Sequence, residues 1–431
     1  MIKMLPLNKR VKKTVNKTTL KNGVRILTKN MPHARSVSMG VWVNVGARDE
    51  SPEENGLSHL IEHMIFKGTN KRTAFQIAKQ FDALGCNTNA FTGYENTCYH
   101  ARVMGSHLET VVDILSDIFL NSIFDEKELE KERPVIFQEI GMVEDSPEEY
   151  VHLLSNTAFW GDNPLGRSVL GTKENILGFT AGDIKKFFRH FYQPDRIIIS
   201  LSGNLSHDKT VDLIGPSFES VKPGNSFPER LTPFAHSTVN LNHRDTEQVH
   251  ICLGTKGVSI TDPRRFAFTI LNTAFGGNMS SRLFQSLREQ RGLAYSVYSF
   301  TSSYIDIGMA GAYAGVDPEK PQESVELILK EMNRLKKVRM DESELKDAKE
   351  YIKGNLFLAS ESIDNQMVRL AQSEINFNEH IPLEAIVEKV ESVTADDILE
   401  LTKVLFQPEH MSLTLLGPAA DKKSFEDMLS F

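Results

Sequence analysis

The strongest constraint on the fold is a pattern that occurs in both halves of this 431-residue chain. TAGDIKKFFRHFYQPDRIIISLSGNLS starts at Thr180, and TADDILELTKVLFQPEHMSLTLLGPAA starts at Thr394. At one offset the two stretches share an acid, a Gln-Pro pair and a later glycine: Asp183 and Asp397, Gln193 and Gln407, Pro194 and Pro408, Gly203 and Gly417. Each stretch predicts a helix capped by Thr, then a turn and an apolar strand. We therefore expect two copies of one domain.

Weaker similarities extend the repeat towards the start of each copy. FDEKELEKERPVIFQEI (124–140) is similar to MDESELKDAKEYIKGNL (340–356), and MIFKG (64–68) is similar to TAFGG (273–277). Both halves alternate long helical patterns with short apolar strands such as SVSMGVWVNVG. The predicted fold class is α+β, with two homologous α/β-sandwich domains that arose by internal duplication.

The expected domain limits follow from the extent of the repeat and from composition. The first domain is expected over residues 18–214, where TTLKNGVRILTKNMP predicts a hairpin at the start, and the second over residues 239–431. Residues 215–238 contain GPSFESVKPGNSFPERLTP, a stretch rich in Pro, Gly and Ser that is typical of a linker.

Composition and charge exclude several classes of function. The net charge of -8 does not favour bulk binding to nucleic acid, and no apolar run approaches the roughly 18 residues of a membrane-spanning helix. Three widely spaced cysteines predict buried, inert thiols in a reducing compartment rather than a disulfide framework. The basic segment KRVKK (9–13) is interpreted as a solvated tail, with a targeting segment as the alternative. We expect a bacterial cytoplasmic protein, with the mitochondrial matrix as second choice.

The segment GLSHLIEHMIFKGT (56–69) brings two histidines and a glutamate together. In a helix, His59, Glu62 and His63 share one face because they are three and four residues apart. Two imidazoles one turn apart can bind one Zn²⁺, and a carboxylate beside them can hold a water molecule. The spacing H-x-x-E-H reverses the H-E-x-x-H motif of zinc peptidases. The alternative is a polar helix face that contacts only solvent.

A zinc site with two histidines needs a third protein ligand. Glu132 and Glu139 are seven residues apart on one face of a predicted helix. The apolar residues between them, Val135, Ile136 and Phe137, indicate that this helix is partly buried. A buried carboxylate needs a positively charged partner, and zinc would supply it for Glu139. For either glutamate alone, a surface ion pair is the alternative.

The second copy provides an internal comparison for these residues. Phe268, Leu271 and Asn272 stand opposite the His, Glu and His of the first copy. Ala348 and Asn355 stand opposite the two glutamates of the acidic helix. None of these five residues can do the same chemistry. The shared fold therefore does not require the polar set, and chemistry in the first domain explains it better.

Nearly the whole chain resembles the pitrilysin-like zinc metallopeptidases (M16, the inverzincins), and within them the beta subunits of mitochondrial processing peptidase and their bacterial relatives. The family pattern is H-x-x-E-H, followed further along the chain by a liganding Glu. The resemblance implies one Zn²⁺ per chain, held by His59, His63 and Glu139. It also implies Glu62 as the general base and Glu132 as an acid that supports the ligands.

GGNMSSRLFQSLREQRGLAYSV (276–297) resembles a stretch of the family that supplies an Arg and a Tyr to the substrate. The resemblance implies that Arg288 and Tyr295 contact a carbonyl oxygen near the bond that is cut. A guanidinium and a phenol are suitable donors to a developing oxyanion. Considered alone, Arg288 would be explained by an ion pair with Glu289, and Tyr295 by a core aromatic residue.

GCNTNAFTGYENTCYHARV (85–103) resembles the edge strand that lies beside the zinc helix in the family. Asn89 and Ala90 are expected to align with an extended substrate backbone, and a turn residue is the alternative for Asn89. Phe66, at the end of the zinc helix, is also assigned to the substrate site. Glu149, in the acidic stretch EDSPEEY, is a candidate partner for a basic substrate side chain, with a solvated helix start as the alternative.

These features predict a zinc endopeptidase that acts on unfolded or extended peptides in a chamber between domains. The resemblance also implies a dimer, because in the family a chain of this length supplies half of a four-domain enclosure. We expect a homodimer with a peptide as substrate and with neither nucleic acid nor membrane as partner. A non-catalytic core or partner subunit is the first alternative, and a zinc hydrolase of small molecules is the second.

Overall fold

The computed structural model describes residues 15–224, 226–418 and 422–429. The segment KRVKK, and with it the choice between tail and targeting segment, lies outside these residues. Within them the strands form two sheets. The first contains, in the order β1-β2-β6-β3-β5-β4, the strands β1 (Val15–Thr19), β2 (Arg25–Asn30), β3 (Ser36–Val43), β4 (Asn87–Thr92), β5 (Thr97–Met104) and β6 (Ile197–Gly203). The second contains, in the order β7-β11-β8-β10-β9, the strands β7 (Thr238–Asn242), β8 (Val249–Gly257), β9 (Ala294–Ser303), β10 (Gly308–Val316) and β11 (Ser412–Leu416).

The helices divide between the halves of the chain in the same way. Those of the first half are α1 (Leu57–Ile65), α2 (Ala74–Ala83), α3 (Leu108–Asn121), α4 (Glu126–Asp145), α5 (Pro147–Trp160), α6 (Lys173–Gly178), α7 (Ala181–Phe191) and α8 (His207–Phe218). Those of the second half are α9 (Arg265–Gly276), α10 (Pro321–Lys337), α11 (Glu342–Ser360), α12 (Ile363–Phe377), α13 (Leu383–Ser392), α14 (Ala395–Leu405) and α15 (Lys422–Leu429).

Apart from β1, which extends the first sheet, the two sheets have the same topology, and this confirms the predicted duplication. In the first sheet β2 and β6 are parallel, β3 lies between β6 and β5, and β4 forms the edge. In the second sheet β7 and β11 are parallel, β8 lies between β11 and β10, and β9 forms the edge. The shared sequence pattern explains part of this match, because Thr180 and Thr394 cap α7 and α14 in the same way. The α+β class and the two homologous domains are therefore confirmed.

Alternate residues of the central strands enter two different cores. In β3, Val41 joins the main core of the first domain, which also contains the buried side of α1. The next residue, Trp42, points to the opposite face of the sheet, where it shares a smaller core with Ile198 of β6. Because both faces of this sheet are buried, its strands have near-continuous apolar character.

Each sheet is covered on its second face by a helix from the other half of the chain. α12 packs on β2, β3 and β6, and its Met367 and Leu370 share a core with Trp42. α5 packs on β8 and β11, and its Val151 shares a core with Tyr313 of β10. Because α5 and α12 follow the equivalent helices α4 and α11, the two domains exchange one helix with each other. The domains are consequently held together by buried apolar surface.

Close packing of the exchanged helix explains one glycine of β3. A Cβ atom on Gly40 would lie 2.5 Å from the sulfur of Met367 and 2.7 Å from Nε1 of Trp42. Both distances are much shorter than a van der Waals contact. A larger residue at this position would therefore require the side chains of Met367 and Trp42 to move.

Three elements lie near the expected limits of the two domains. The predicted hairpin is present, but β1 begins at Val15, before residue 18. α8 continues to Phe218, past the expected limit at residue 214, because Phe218 is fully buried in the first core. β7 begins at Thr238.

Two expectations from composition can be compared with the described ranges. None of the helices there is both long and apolar enough to cross a membrane. The three cysteines are free, and Cys98 and Cys252 are buried as expected. Cys86 is partly exposed, which differs from the expectation of three buried thiols.

Candidate metal centre

α1 turns its H-x-x-E-H residues to one side because its other side is buried. Leu60, Ile61 and Met64 have no exposed surface and pack in the first core. The rings of His59 and His63 lie one turn apart, with 4.7 Å between their centroids. His59 is only 8% exposed, so a polar face in contact with solvent alone does not describe this helix.

A buried carboxylate fixes the start of α1, and the sequence analysis missed it. Glu50 accepts hydrogen bonds from the backbone N–H groups of Gly56 and Ser58, at 2.8 and 2.7 Å. It also accepts one from the side chain of Asn55, at 3.1 Å. Burial raises the pKa of Glu50 to about 7, although these bonds act in the opposite direction. The available signal was an acid a few residues before a helix whose N-cap, Gly56, has no side chain that could accept a hydrogen bond.

The third ligand candidate reaches both histidines. One carboxylate oxygen of Glu139, on α4, lies 3.3 Å from Nε2 of His59 and 3.5 Å from Nε2 of His63. The three donor atoms all lie within 4.8 Å of one another. In a tetrahedral zinc site with bonds of 2.0–2.2 Å, neighbouring donor atoms are about 3.4 Å apart. Two imidazoles and one carboxylate with this spacing fit Zn²⁺ and leave a fourth position for another molecule.

The protonation state of His59 suits metal binding. Burial, and to a smaller extent the neighbouring His63, lower the pKa of His59 to about 3. The ring is therefore neutral at pH 7 and keeps a lone pair. Its Nδ1 is buried without a hydrogen-bond partner, so Nε2 is the ring atom with a directed contact, to Glu139.

Glu132 contacts the other side of the second imidazole. One of its oxygens lies 3.2 Å from Nδ1 of His63, and the other lies 2.6 Å from Nζ of Lys67. Because a carboxylate only accepts, Nδ1 carries the proton and Nε2 is left free to bind a metal. Glu132 is 6% exposed and is fixed by its two partners.

Glu139 is less enclosed than the sequence suggested. Its side chain is 37% exposed, because α4 lies at the surface and presents Val135 to solvent, at 39% exposure. The buried apolar contacts of this helix are made by Leu129, Ile136 and Ile140. The expectation of a buried carboxylate at Glu139 is therefore wrong, although its position beside both imidazoles matches the prediction.

Glu62 lies beside the donor set and is held by the edge strand. It accepts a hydrogen bond from the hydroxyl of Thr92, the last residue of β4, at 2.5 Å. Burial raises the pKa of Glu62, while the hydrogen bond from Thr92 and the charge of His63 oppose this effect. A buried carboxylate next to a metal position can accept a proton more readily than an exposed one.

The predicted substrate strand is an edge strand of the first sheet. Among the residues that the structure describes, β4 pairs with β5 alone, and Asn89 and Ala90 lie in its middle, opposite His100 and Tyr99. The alternative of a turn residue at Asn89 is therefore wrong. Phe66 ends α1, and its ring lies 6.4 Å from that of Tyr99. The free side of β4 can add another extended strand through main-chain hydrogen bonds.

Two family models cover most of the chain. The model described as "Insulinase (Peptidase family M16)" matches residues 25–173, and the model described as "Peptidase M16 inactive domain" matches residues 178–352. The uncharacterized zinc protease YmxG of Bacillus subtilis is 39% identical over 410 residues, which cover 95% of this chain and 100% of that protein. The chain belongs to peptidase family M16.

Solved structures share the fold of this M16 chain. A protease from Helicobacter pylori superimposes with a TM-score of 0.87 and 22% identity, over 94% of this chain and 99% of that one. A structure titled as the peptidase M16 inactive domain from Pseudomonas fluorescens gives a TM-score of 0.89 and 18% identity, over 95% and 98% of the two chains. At these identities the comparison shows the fold alone.

The second M16 domain uses the positions opposite the metal candidates for packing. Phe268 and Leu271 of α9 are 4% and 2% exposed and belong to the second core. Ala348 of α11 is buried in the same core. The second domain thus has apolar packing residues at the positions equivalent to His59, Glu62 and Glu132.

Tyr295 occupies an irregular point of the edge strand β9. Ser296 pairs with Gly315 and Ala294 pairs with Val316, so Tyr295 is an extra residue without a partner in β10. Such a bulge re-aims a side chain, and Tyr295 is 78% exposed. The alternative of a core aromatic residue is therefore wrong.

Arg288 lies in a π-helical turn, Phe284–Glu289, shortly before β9. The central carbon of its guanidinium group is 4.7 Å from the ring centroid of Tyr295. Its Nε lies 3.9 Å from an oxygen of Glu289, an exposed contact that contributes little. The structure brings Arg288 and Tyr295 together, and in the described part of the chain it does not bring either into contact with the metal candidates.

The two glutamates at the start of α5, Glu148 and Glu149, have different surroundings. Glu149 is exposed in the first turn of the helix, as the alternative of a solvated helix start predicts. Its neighbour Glu148 instead accepts a hydrogen bond from the hydroxyl of Tyr298, in the second domain, at 2.8 Å.

Proposed function

We propose that this chain is a zinc-dependent endopeptidase that hydrolyses peptide bonds in extended peptides. The observation that carries the proposal is the convergence of Nε2 of His59 and Nε2 of His63 on one oxygen of Glu139, at 3.3 and 3.5 Å. Membership of a family with relatives named zinc proteases supports zinc as the metal. One ion per chain would be held by these three side chains.

When bound, zinc would supply Lewis-acid chemistry that makes water a nucleophile near neutral pH. Glu62 accepts the proton of the attacking water and then donates it to the leaving amine. Thr92 keeps the Glu62 carboxylate in one orientation through its hydrogen bond. Glu132 holds the proton on Nδ1 of His63, so that Nε2 stays available.

The substrate backbone would add to the free edge of β4 beside Asn89 and Ala90. Binding through main-chain groups accepts many sequences, and neighbouring side chains supply preference. Phe66 lies at the end of α1 and offers an apolar surface to a substrate side chain. Glu149 is exposed and can pair with a basic side chain.

Arg288 and Tyr295 would donate hydrogen bonds to the carbonyl oxygen as negative charge develops on it. Within one chain, however, Tyr295 lies at the far end of β9 from the hairpin that contacts the β4–β5 hairpin. The eight residue steps from Tyr295 to Ser303 span about 26 Å in a strand. We therefore propose a homodimer in which the Arg–Tyr pair of one copy completes the metal site of the other.

The test uses a long quenched fluorescent peptide and the zinc-loaded protein, with and without 1,10-phenanthroline. We expect cleavage that is lost with the chelator and restored by zinc. The variant Glu62→Gln should retain zinc by elemental analysis and lose turnover. Zinc-loaded protein that cleaves no peptide would refute the proposal. Absence of bound metal would indicate a non-catalytic subunit instead, and hydrolysis limited to small esters or amides would indicate the second alternative.

A further inference from the structure

The hairpins that end the two edge strands meet between the domains. Residues 93–96 connect β4 to β5, and residues 304–307 connect β9 to β10. An oxygen of Glu95 in the first hairpin accepts a hydrogen bond from the backbone N–H of Ile305 in the second, at 3.1 Å. The proposed substrate strand therefore ends at a direct contact with the second domain.

Arg48 is buried between these hairpins, with only 4% of its surface exposed. Its backbone N–H donates to the carbonyl of Tyr94 at 2.8 Å, which holds it to the first domain. Its guanidinium donates to both oxygens of Asp306 at 2.7 Å, and to Glu95 at 2.6 Å. A bidentate arginine–carboxylate pair is strong and fixes orientation as well as distance.

The two acids that share this arginine lie in corresponding hairpins of the duplicated fold. Glu95 lies in the hairpin between β4 and β5, and Asp306 lies in the hairpin between β9 and β10. A single guanidinium thus joins the corresponding hairpins of the two domains. Arg230, in the linker, also lies here: it donates to the backbone carbonyl of Glu95 at 2.9 Å, and its Nη1 lies 3.8 Å from a carboxylate oxygen of Glu95.

The same hairpin leads directly to the candidate base. Thr92, which holds Glu62, is three residues before Glu95 along the chain. We propose that Arg48 is a positioning residue for the peptidase reaction, which fixes the β4–β5 hairpin against the second domain and thereby the orientation of Thr92, of Glu62 and of the substrate edge. This inference rests on the proposed function and assigns Arg48 no contact with substrate.

The chain offers a matched control at a distance from the domain boundary. Arg72 also donates to two acids, Asp113 and Asp117, but both belong to α3 of its own domain. Arg48→Gln and Arg72→Gln each remove one guanidinium group that joins two carboxylates. Only the first replacement disconnects the two hairpins.

The experiment compares Arg48→Gln, Asp306→Asn and Arg72→Gln with the zinc-loaded wild-type protein. We expect Arg48→Gln and Asp306→Asn to keep their zinc and to lose at least tenfold in kcat, with less than threefold change in KM. The double variant should lose no more than Arg48→Gln alone, because both changes break one pair. Arg72→Gln should stay within twofold of the wild-type kcat.

Hydrogen exchange provides a readout that does not depend on activity. In Asp306→Asn, amide hydrogens should exchange at least threefold faster than in the wild-type protein in three segments: β4, residues 93–96 and residues 304–307. In Arg72→Gln, the exchange rates of these segments should equal those of the wild-type protein. Unchanged exchange in Asp306→Asn overturns the inference, whatever the peptidase result. Faster exchange with wild-type kcat also overturns it.

If Arg48→Gln does not fold, Asp306→Asn decides, since it removes only one charge and keeps the shape of the side chain. A wild-type protein that cleaves no peptide counts against the proposed function and, with it, against a positioning role.

Discussion

Thr92 donates a hydrogen bond to Glu62 across 2.5 Å, and this bond links the edge of the first sheet to the metal helix. Thr92 is the last residue of β4, and Glu62 is in the middle of α1. The strand that can bind an extended peptide and the carboxylate that can activate water are thus fixed relative to each other. In the proposed reaction, this one contact would couple the register of the substrate to the orientation of the base.

The variant Thr92→Val should lower kcat by about tenfold, which corresponds to loss of one hydrogen bond to a charged group. Bound zinc should remain at the wild-type level, because Thr92 contacts no ligand candidate. Thr92→Ser keeps the hydroxyl and serves as the control. A Thr92→Val protein with wild-type kcat would show that this bond does not orient the base. The measurement is steady-state cleavage of a quenched peptide, alongside elemental analysis.

Glu139→Gln should remove most zinc affinity, because a carboxylate donor in contact with both imidazoles is lost. Glu132→Gln should lower zinc affinity by about 10–100-fold, because it acts through His63 rather than on the metal. Glu130→Gln changes an exposed acid on the same helix and is the control. Competition with a chelating dye measures all three. Equal zinc affinity in Glu139→Gln and wild-type protein would contradict the assignment of the third ligand.

The proposed homodimer, in which each copy completes the site of the other, predicts complementation between two inactive proteins. Glu62→Gln and the double variant Arg288→Ala/Tyr295→Phe should each be inactive alone. A mixed dimer, purified through two different affinity tags, contains one site with all of its side chains intact and should show about half of the wild-type activity. If each chain completed its own site, every site in the mixed dimer would carry a defect. Activity no higher than that of either parent would therefore reject the exchange between copies.

Glu50 should make stability fall as the pH rises. Its pKa is raised by burial from 4.5 to about 7, so the folded state holds the proton more tightly than the unfolded state. The stabilisation is complete below about pH 4.5 and is lost as the pH rises through 7. The difference in unfolding free energy between wild type and Glu50→Gln should therefore shrink by up to about 3 kcal/mol between pH 4.5 and pH 8.

Denaturant unfolding of the metal-free proteins at several pH values measures this difference. Glu53→Gln, at an exposed position near the same helix start, is the control and should follow the wild-type curve. Glu50→Gln should be less stable than wild type at every pH, because an amide cannot accept all of the hydrogen bonds that Glu50 accepts. A constant difference across the range would show that Glu50 titrates at its ordinary pKa.

Much of the metal site could be predicted because its first part is local. The spacing of His59, Glu62 and His63 places them on one face of any helix, and the apolar residues between them require that helix to pack. Glu139 is 76 positions beyond His63, and its approach depends on how α4 packs against α1. The assignment of Glu139 as the third ligand came from the resemblance to the family. The prediction that its side chain is buried was wrong, because a residue next to an apolar residue in the sequence need not face the same side of the helix.

The sequence by itself determined the duplicated α+β architecture and the helix that carries the two histidine ligand candidates, because these depend on spacing and on the alternation of apolar and polar residues. Only the tertiary structure decided which helix covers which sheet, where the bulge re-aims Tyr295 and which acids meet Arg48. An amphipathic sequence pattern predicts that one face of a helix or strand is buried, but it does not identify the element that packs against that face. The partner is selected by packing among distant segments, and that selection also fixes the contact between the two domains beside the candidate site.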